Sequence, residues 1–272
     1  MDPNDILNIK KTIIFLGEPD DVEVGSDRIN ATGFLVSINQ IYHIITAKHI
    51  VINRNNRINK KLVAYFNSKE GGVIKRLILE KRNDDLKIEW MFHEDKSVDV
   101  AIIPFSYVNE SDDLLHMDEK LFINSQKLTE LTDIIYLSYQ PGIPIIEKIT
   151  PIFRTGVISL VNHEKKIIYI DGFAFPGNSG SPVFIKPSPY YHDGKSWVIK
   201  HNPLSLGFIG VIGEFIPYED IAISIQTKRP RITFEENTGI AKVWSMDYIQ
   251  EIIESKTFQQ QMENIRKKIE QD

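Results

Sequence analysis

The chain has no cysteine among its 272 residues, and that absence removes three chemistries. No disulfide can brace the fold, no thiolate can act as a nucleophile, and no cysteine-ligated zinc can form. Positive charge is also in short supply. With 32 Lys and Arg against 37 Asp and Glu, the formal net charge is −5, so a broad basic surface for nucleic acid is not expected. Long apolar runs are missing: no stretch reaches the roughly 18 residues that a membrane-spanning helix needs, and no membrane association is expected. The opening Met1-Asp2-Pro3-Asn4-Asp5 is acidic where a secretory signal is basic, and the apolar stretch at 12–16 is too short for a signal core. These absences together predict a soluble, cytoplasmic protein. What remains, 42% hydrophobic and 25% charged residues, is ordinary for a globular chain that buries a core.

The apolar residues fall in short runs rich in Ile, Val, Phe and Tyr, separated by turn signals. They predict strands near 12–16, 32–38, 42–46, 62–66, 73–79, 87–91 and 100–105. After a polar, acidic segment at 109–133 the pattern resumes near 134–139, 152–161, 166–170, 182–185, 197–199, 206–212, 222–225 and 240–243. The long helical stretches that parallel strands need between them are missing, so two β-rich halves in a sandwich or a pair of barrels are expected. Some helical turns are expected at 114–131. Only the end is strongly helical: Ile249, Ile252, Ile253, Phe258, Met262, Ile265 and Ile269 recur at spacings of three and four from Met246 onward, with Ser245 as the expected N-cap.

Three short segments carry chemistry. Thr46-Ala47-Lys48-His49 ends an apolar run, and a histidine just beyond a strand can project into a cleft from a rigid frame, as a general base must. Asp99 stands immediately before Val100-Ala101-Ile102-Ile103; a carboxylate at the edge of a buried strand is costly unless something pairs with it, and an imidazole would be such a partner. In Gly177-Asn178-Ser179-Gly180-Ser181-Pro182, small residues flank one hydroxyl, so the backbone can turn tightly and a substrate can approach. That turn would also let the amides of Gly177 and Ser179 converge on a developing oxyanion. The other histidines, His43, His93, His116, His163, His192 and His201, read as surface or internally satisfied residues.

In the chain order His, Asp, Ser, these segments resemble the motifs of trypsin-like (chymotrypsin-fold) serine peptidases, most of all the bacterial HtrA/Deg-type protease domains without their PDZ module. The resemblance runs over residues 10–255. Ala31-Thr32-Gly33-Phe34 is similar to the strand before the histidine, Tyr139-Gln140-Pro141-Gly142 to the turn that opens the second barrel, and Thr238-Gly239-Ile240-Ala241 to the last strand. It implies an all-β fold of two six-stranded antiparallel β-barrels with a C-terminal α-helix. The expected division is an N-terminal barrel at 1–108, a connector at 109–133, a C-terminal barrel at 134–245 and a helix and tail at 246–272. It also implies a serine endopeptidase acting on protein or peptide through Ser179, His49 and Asp99, with no metal or organic cofactor.

Departures from the family pattern matter. Asn178 stands where animal trypsins carry an Asp, so activation by a newly cut N-terminus has no acidic partner here. Ser181 replaces the family's second Gly. Phe173, Ala174, Val211 and Gly213 are the expected specificity-pocket residues, and without a carboxylate at Phe173 a small or apolar side chain is expected before the cut, with nearby Asp171 keeping a basic one as the alternative. A catalytically inactive or conditionally active protein-binding module is the alternative expectation. An α/β-hydrolase is disfavoured by the triad order and the absent Gly-Xaa-Ser-Xaa-Gly elbow. The C-terminal helix is the expected contact for any regulatory protein partner.

Overall fold

The computed structural model describes residues 6–19, 31–53, 55–79, 88–105, 108–140, 142–143, 147–192, 194–199 and 206–270. The first residue of the 87–91 run, Pro141 of the expected turn and His201 lie outside them. The runs of the first half become β1 (Ile13–Gly17), β2 (Ala31–Ile38), β3 (Ile41–Thr46), the single turn α1 (Lys48–Val51), β4 (Val63–Asn67), β5 (Val73–Leu77), β6 (Met91–Phe92), β7 (Ala101–Pro104) and β8 (Met117–Asp118). They form one sheet in the order β5-β4-β1-β2-β3-β7-β6, antiparallel throughout, with β8 added in parallel to β2. Apolar side chains on both sides of β1 and β2 are buried, which is why these runs are continuous rather than alternating.

The connector supplies two 3-10 turns, Glu119–Leu121 and Ser125–Lys127, capped by the side chains of Asp118 and Asn124. The second half contains β9 (Asp133–Ser138), β10 (Ile152–Asn162), β11 (Ile167–Asp171), β12 (Pro182–Ile185), the small hairpin β13 (Tyr190–His192) and β14 (Trp197–Ile199), β15 (Gly207–Ile223) and β16 (Pro230–Ser245). Here β10-β11-β16-β15-β12-β9 close into a six-stranded barrel. The fold is therefore all-β, of the two-barrel chymotrypsin-like type, and among the described residues its longer helices lie at the C-terminus while the others are single turns.

Two expectations change. The runs at 206–212 and 222–225 are one strand, and 240–243 is the end of another; β15 and β16 continue far past the barrel as a two-stranded arm. The terminal helix is also broken, into α2 (Met246–Glu254) and α3 (Lys256–Ile269), because Ser255 leaves helical geometry and its hydroxyl caps α3 at the Phe258 amide. Ser245 precedes α2 but caps nothing; its hydroxyl donates to Asp247 Oδ2 at 2.8 Å, the same oxygen that accepts from the Ser125 amide.

One apolar core unites the halves. Phe15 and Phe34 of the first sheet, Phe184, Phe208 and Trp244 of the barrel, and Ile249, Ile252 and Phe258 of the helices belong to a single buried cluster. Phe34 and Phe208 meet across the seam with ring centroids 5.3 Å apart. Each such side chain contributes roughly 1.5–3 kcal/mol by burial. The helix α3 docks through His43, whose ring lies 5.3 Å from that of Phe258 and 3.3 Å from Met262 Sδ. Burial lowers the His43 pKa to about 4, against the raising effect of its backbone hydrogen bond to Ile41. Among the described residues no helix is long and apolar enough to cross a membrane.

Candidate active site

Strand pairing brings the first two candidate residues together. Thr46 of β3 faces Ala101 of β7 across an antiparallel ladder. His49 stands three residues after Thr46 and Asp99 two before Ala101, so both emerge at the same end of neighbouring strands. Ala47 is extended and Lys48 begins the turn α1, which aims the imidazole back over that end. Asp99 Oδ2 lies 2.7 Å from His49 Nδ1, and Oδ1 accepts the His49 backbone amide at 2.8 Å. Both carboxylate oxygens are thus used on one residue, which fixes ring and backbone together. The ammonium of Lys48 donates to the carbonyls of Lys96 and Val98, each at 2.6 Å, and holds the loop that delivers Asp99.

Burial of the imidazole disfavours its charged form. The hydrogen bond and charge of Asp99, joined by the charge of Glu214, outweigh that cost and hold the His49 pKa above the ordinary histidine value.

The third residue comes from the barrel. Gly180 donates its amide to the Ile212 carbonyl and Ile212 returns one to Ser181, at 2.8 and 2.9 Å, which extends the β12–β15 ladder and sets Ser179 beside Gly213. Gly180 has φ +84°, and a Cβ there would lie 2.0 Å from the Thr32 carbonyl oxygen; only glycine fits this approach to the first sheet. Asn178 is fully buried and its side chain is spent: Oδ1 accepts from the Phe175 amide and Nδ2 donates to the Tyr139 carbonyl, both at 2.9 Å. The turn before the nucleophile is closed by that amide. The Ser181 hydroxyl, by contrast, is buried and unpartnered.

Thr32 joins the two halves at this point. Its amide donates to the Ser179 carbonyl at 3.0 Å, and its hydroxyl donates to the Gly177 carbonyl at 2.7 Å while accepting from the Tyr139 amide at 3.3 Å. Its own carbonyl accepts from the Thr46 hydroxyl at 2.8 Å, one strand end from His49. Gly177 takes φ +94°. With its carbonyl so held, neither the Gly177 nor the Ser179 amide has a protein acceptor among the described residues.

Ser179 Oγ donates to the Gly213 carbonyl at 3.1 Å rather than to His49. Even so, His49, Asp99, Gly177 and Ser179 line one cleft of about 590 Å³, with Ala174, Phe175, Ile212, Gly213, Phe215 and Trp244 as its apolar part. Glu214 and Lys242 also line it, paired at 3.2 Å, with the Lys242 ammonium 4.1 Å above the Trp244 ring. Of the four expected pocket residues, Ala174 and Gly213 line the cleft. Val211 is wholly buried and does not line it, and Phe173, 53% exposed and stacked on Phe175, lines a separate pocket with Asp171 and Gly172.

Thr32, Lys48 and Glu214 were not among the expected site residues. Thr32 and Lys48 stand inside motifs but act on neighbours distant in sequence, and Glu214 lies in no motif. Among the described residues no histidine other than His49 lines the cleft; His93, for instance, pairs with Glu251 at 2.7 Å. The family model of the trypsin-like peptidase domain matches residues 31–186, more than half of the chain and a span holding His49, Asp99 and Ser179. No curated protein matches the chain.

Proposed function

Because this chain belongs to the trypsin-like peptidase domain family, we propose that it is a serine endopeptidase acting through Ser179, His49 and Asp99. The observation that carries the proposal is the His49–Asp99 pair, made at 2.7 Å through Nδ1 and facing the same cleft as a hydroxyl flanked by two unbonded amides. A carboxylate on Nδ1 fixes the tautomer whose Nε2 is free to accept a proton.

Rotation of Ser179 about its Cα–Cβ bond takes Oγ from the Gly213 carbonyl toward His49. As Oγ attacks a peptide carbonyl, His49 Nε2 takes the hydroxyl proton, and the Gly177 and Ser179 amides receive the negative charge that develops on the carbonyl oxygen. Collapse breaks the C–N bond, and the imidazolium returns the proton to the leaving amine. Water then hydrolyses the acyl-enzyme by the same route, with His49 again the base. The nucleophile–base hydrogen bond is often long in unliganded enzymes and tightens on substrate binding.

The apolar lining of Ala174, Phe175, Ile212 and Phe215, with Glu214 and Lys242 neutralising one another, suits a small or apolar side chain before the cut. Ser179 bonded to Gly213 also supports a second reading, a conditionally active module in which a partner must release the hydroxyl. Fluorophosphonate labelling tests both. The wild-type chain is expected to react and Ser179→Ala not to. An unreactive wild type would refute the constitutive peptidase, and reaction only after a partner is added would favour the second reading. In a peptide library, cleavage confined to basic residues would overturn the specificity.

A further inference from the structure

The β15–β16 arm is unlike the rest of the molecule. Beyond Ile212, β15 pairs only with β16, and before Ile240, β16 pairs only with β15, among the described residues. Ten residues at about 3.3 Å each make an arm about 30 Å long. A two-stranded ribbon without a third layer is marginal in water, yet this one exposes apolar side chains: Tyr218, Ile221, Ile223, Ile232 and Phe234 are each more than half exposed. Its cross-strand pairs add strain of another kind, since Glu219 lies directly opposite Glu235.

The charges are sorted along the arm. Glu219, Asp220, Glu235 and Glu236 occupy its stem, and Lys228, Arg229 and Arg231 its tip, where the Ser224 amide closes the turn on Arg229. None of them has an ion-pair partner among the described residues. Between the two signs lies the pair Ala222–Ile232, with Asp220–Phe234 and Tyr218–Glu236 following on the same face toward the stem. Acid, apolar centre and base in a row form a self-complementary order. A two-fold axis through Ala222 and Ile232 sets each tip over the other copy's stem, because on this face Asp220 and Glu236 lie two and four residues from that axis and the tip cations one to four, all within about 13 Å.

We propose that the arm is a self-association surface, packed face to face on the arm of a second copy in antiparallel sense. The apolar centres cover one another and the flanking charges pair twice, once on each side of the axis. A face about 30 Å long and about 10 Å wide is smaller than the roughly 800 Å² per partner of standard interfaces, so the dimer should be weak, with a Kd of roughly 1–100 μM. The arm roots at Glu214 and Phe215 in the cleft wall, so dimerisation would place two clefts on one assembly.

Sedimentation equilibrium across that concentration range tests the proposal. The native chain should pass from monomer to dimer. A tip-reversed variant (Lys228→Glu, Arg229→Glu, Arg231→Glu) and a stem-reversed variant (Asp220→Lys, Glu236→Lys) should each associate at least tenfold more weakly. Mixed in equal amounts they should form a heterodimer, because each tip then meets a stem of opposite charge. All these side chains are exposed, and unchanged thermal melting will show that the variants fold. A native chain that stays monomeric, or a dimer indifferent to both reversals, would overturn the proposal.

Discussion

The two halves of the candidate site differ in how they are held. His49 and Asp99 stand 50 residues apart at one end of a single sheet, and the register of β3 against β7, with Lys48 holding the Asp99 loop, brings them to 2.7 Å. Ser179 comes from the other barrel, and its hydroxyl bonds within that barrel, to Gly213. Pairing within a sheet is fixed by a ladder of backbone bonds, whereas the turn that carries Ser179 is tied across the seam by a few hydrogen bonds. In this molecule those contacts converge on Thr32.

Breaking the well-made half should have the largest effect. Asp99→Asn keeps the size of the side chain but presents an amide to Nδ1, so the imidazole is held in the wrong tautomer. We expect kcat to fall about 10⁴-fold, or about 5.5 kcal/mol in activation free energy, with KM little changed. Steady-state hydrolysis of a peptide substrate measures it. A loss under tenfold would mean that the 2.7 Å contact is structural and does not orient a base.

Breaking the seam should cost less. Thr32→Val keeps the shape and removes the hydroxyl that donates to the Gly177 carbonyl and accepts from the Tyr139 amide. Two backbone groups then lose their partner at a fully buried position, a loss of about 1–3 kcal/mol in stability. Once the Gly177 carbonyl is released, the adjoining peptides can turn, and kcat is expected to fall about tenfold or more while KM holds. Thr32→Ser restores the hydroxyl and should restore kcat. If KM rises instead, or if Ser fails to rescue, Thr32 serves packing rather than the convergence of the amides.

This contrast also explains what could be read from the sequence. The strand runs near 32–38, 42–46 and 182–185 were legible because both faces of those strands are buried, so apolarity is continuous. His49, Asp99 and Ser179 stand out as candidates because each lies in a short local pattern. Beyond the run at 222–225 the arm was not legible, because its strands are solvent-exposed and carry no burial pattern; Glu219, Asp220, Glu235 and Glu236 interrupt what hydrophobicity there is. The break at Ser255 hid inside a sustained helical periodicity. Thr32 and Lys48 were invisible as site residues because they work through partners more than 40 residues away, Gly177 for one and Val98 for the other. The orientation of Phe173 depends on the path of its own backbone, since Tyr136 bonds its carbonyl at 2.7 Å and the side chain is left facing out.

The smallest expected effect is the most selective probe of whether the halves communicate. His49 acts as base only when neutral, so kcat/KM should fall as pH drops through its folded pKa, which lies above the ordinary 6.5. Stability runs the other way. A raised folded pKa stabilises the fold fully below the unfolded value, and that gain is lost as pH rises through the folded one. The His49–Asp99 pair is thus tightest where catalysis is off. Glu214, at the root of the arm, adds to the charge that favours the imidazolium. Glu214→Gln should therefore shift the acid limb of kcat/KM to lower pH and leave the plateau alone. Because Glu214 is 63% exposed, screening limits the gain at a fixed acidic pH to about threefold. An acid limb that does not move would assign the raised pKa to Asp99 alone, and the electrostatics of the base would then belong entirely to the sheet that carries it.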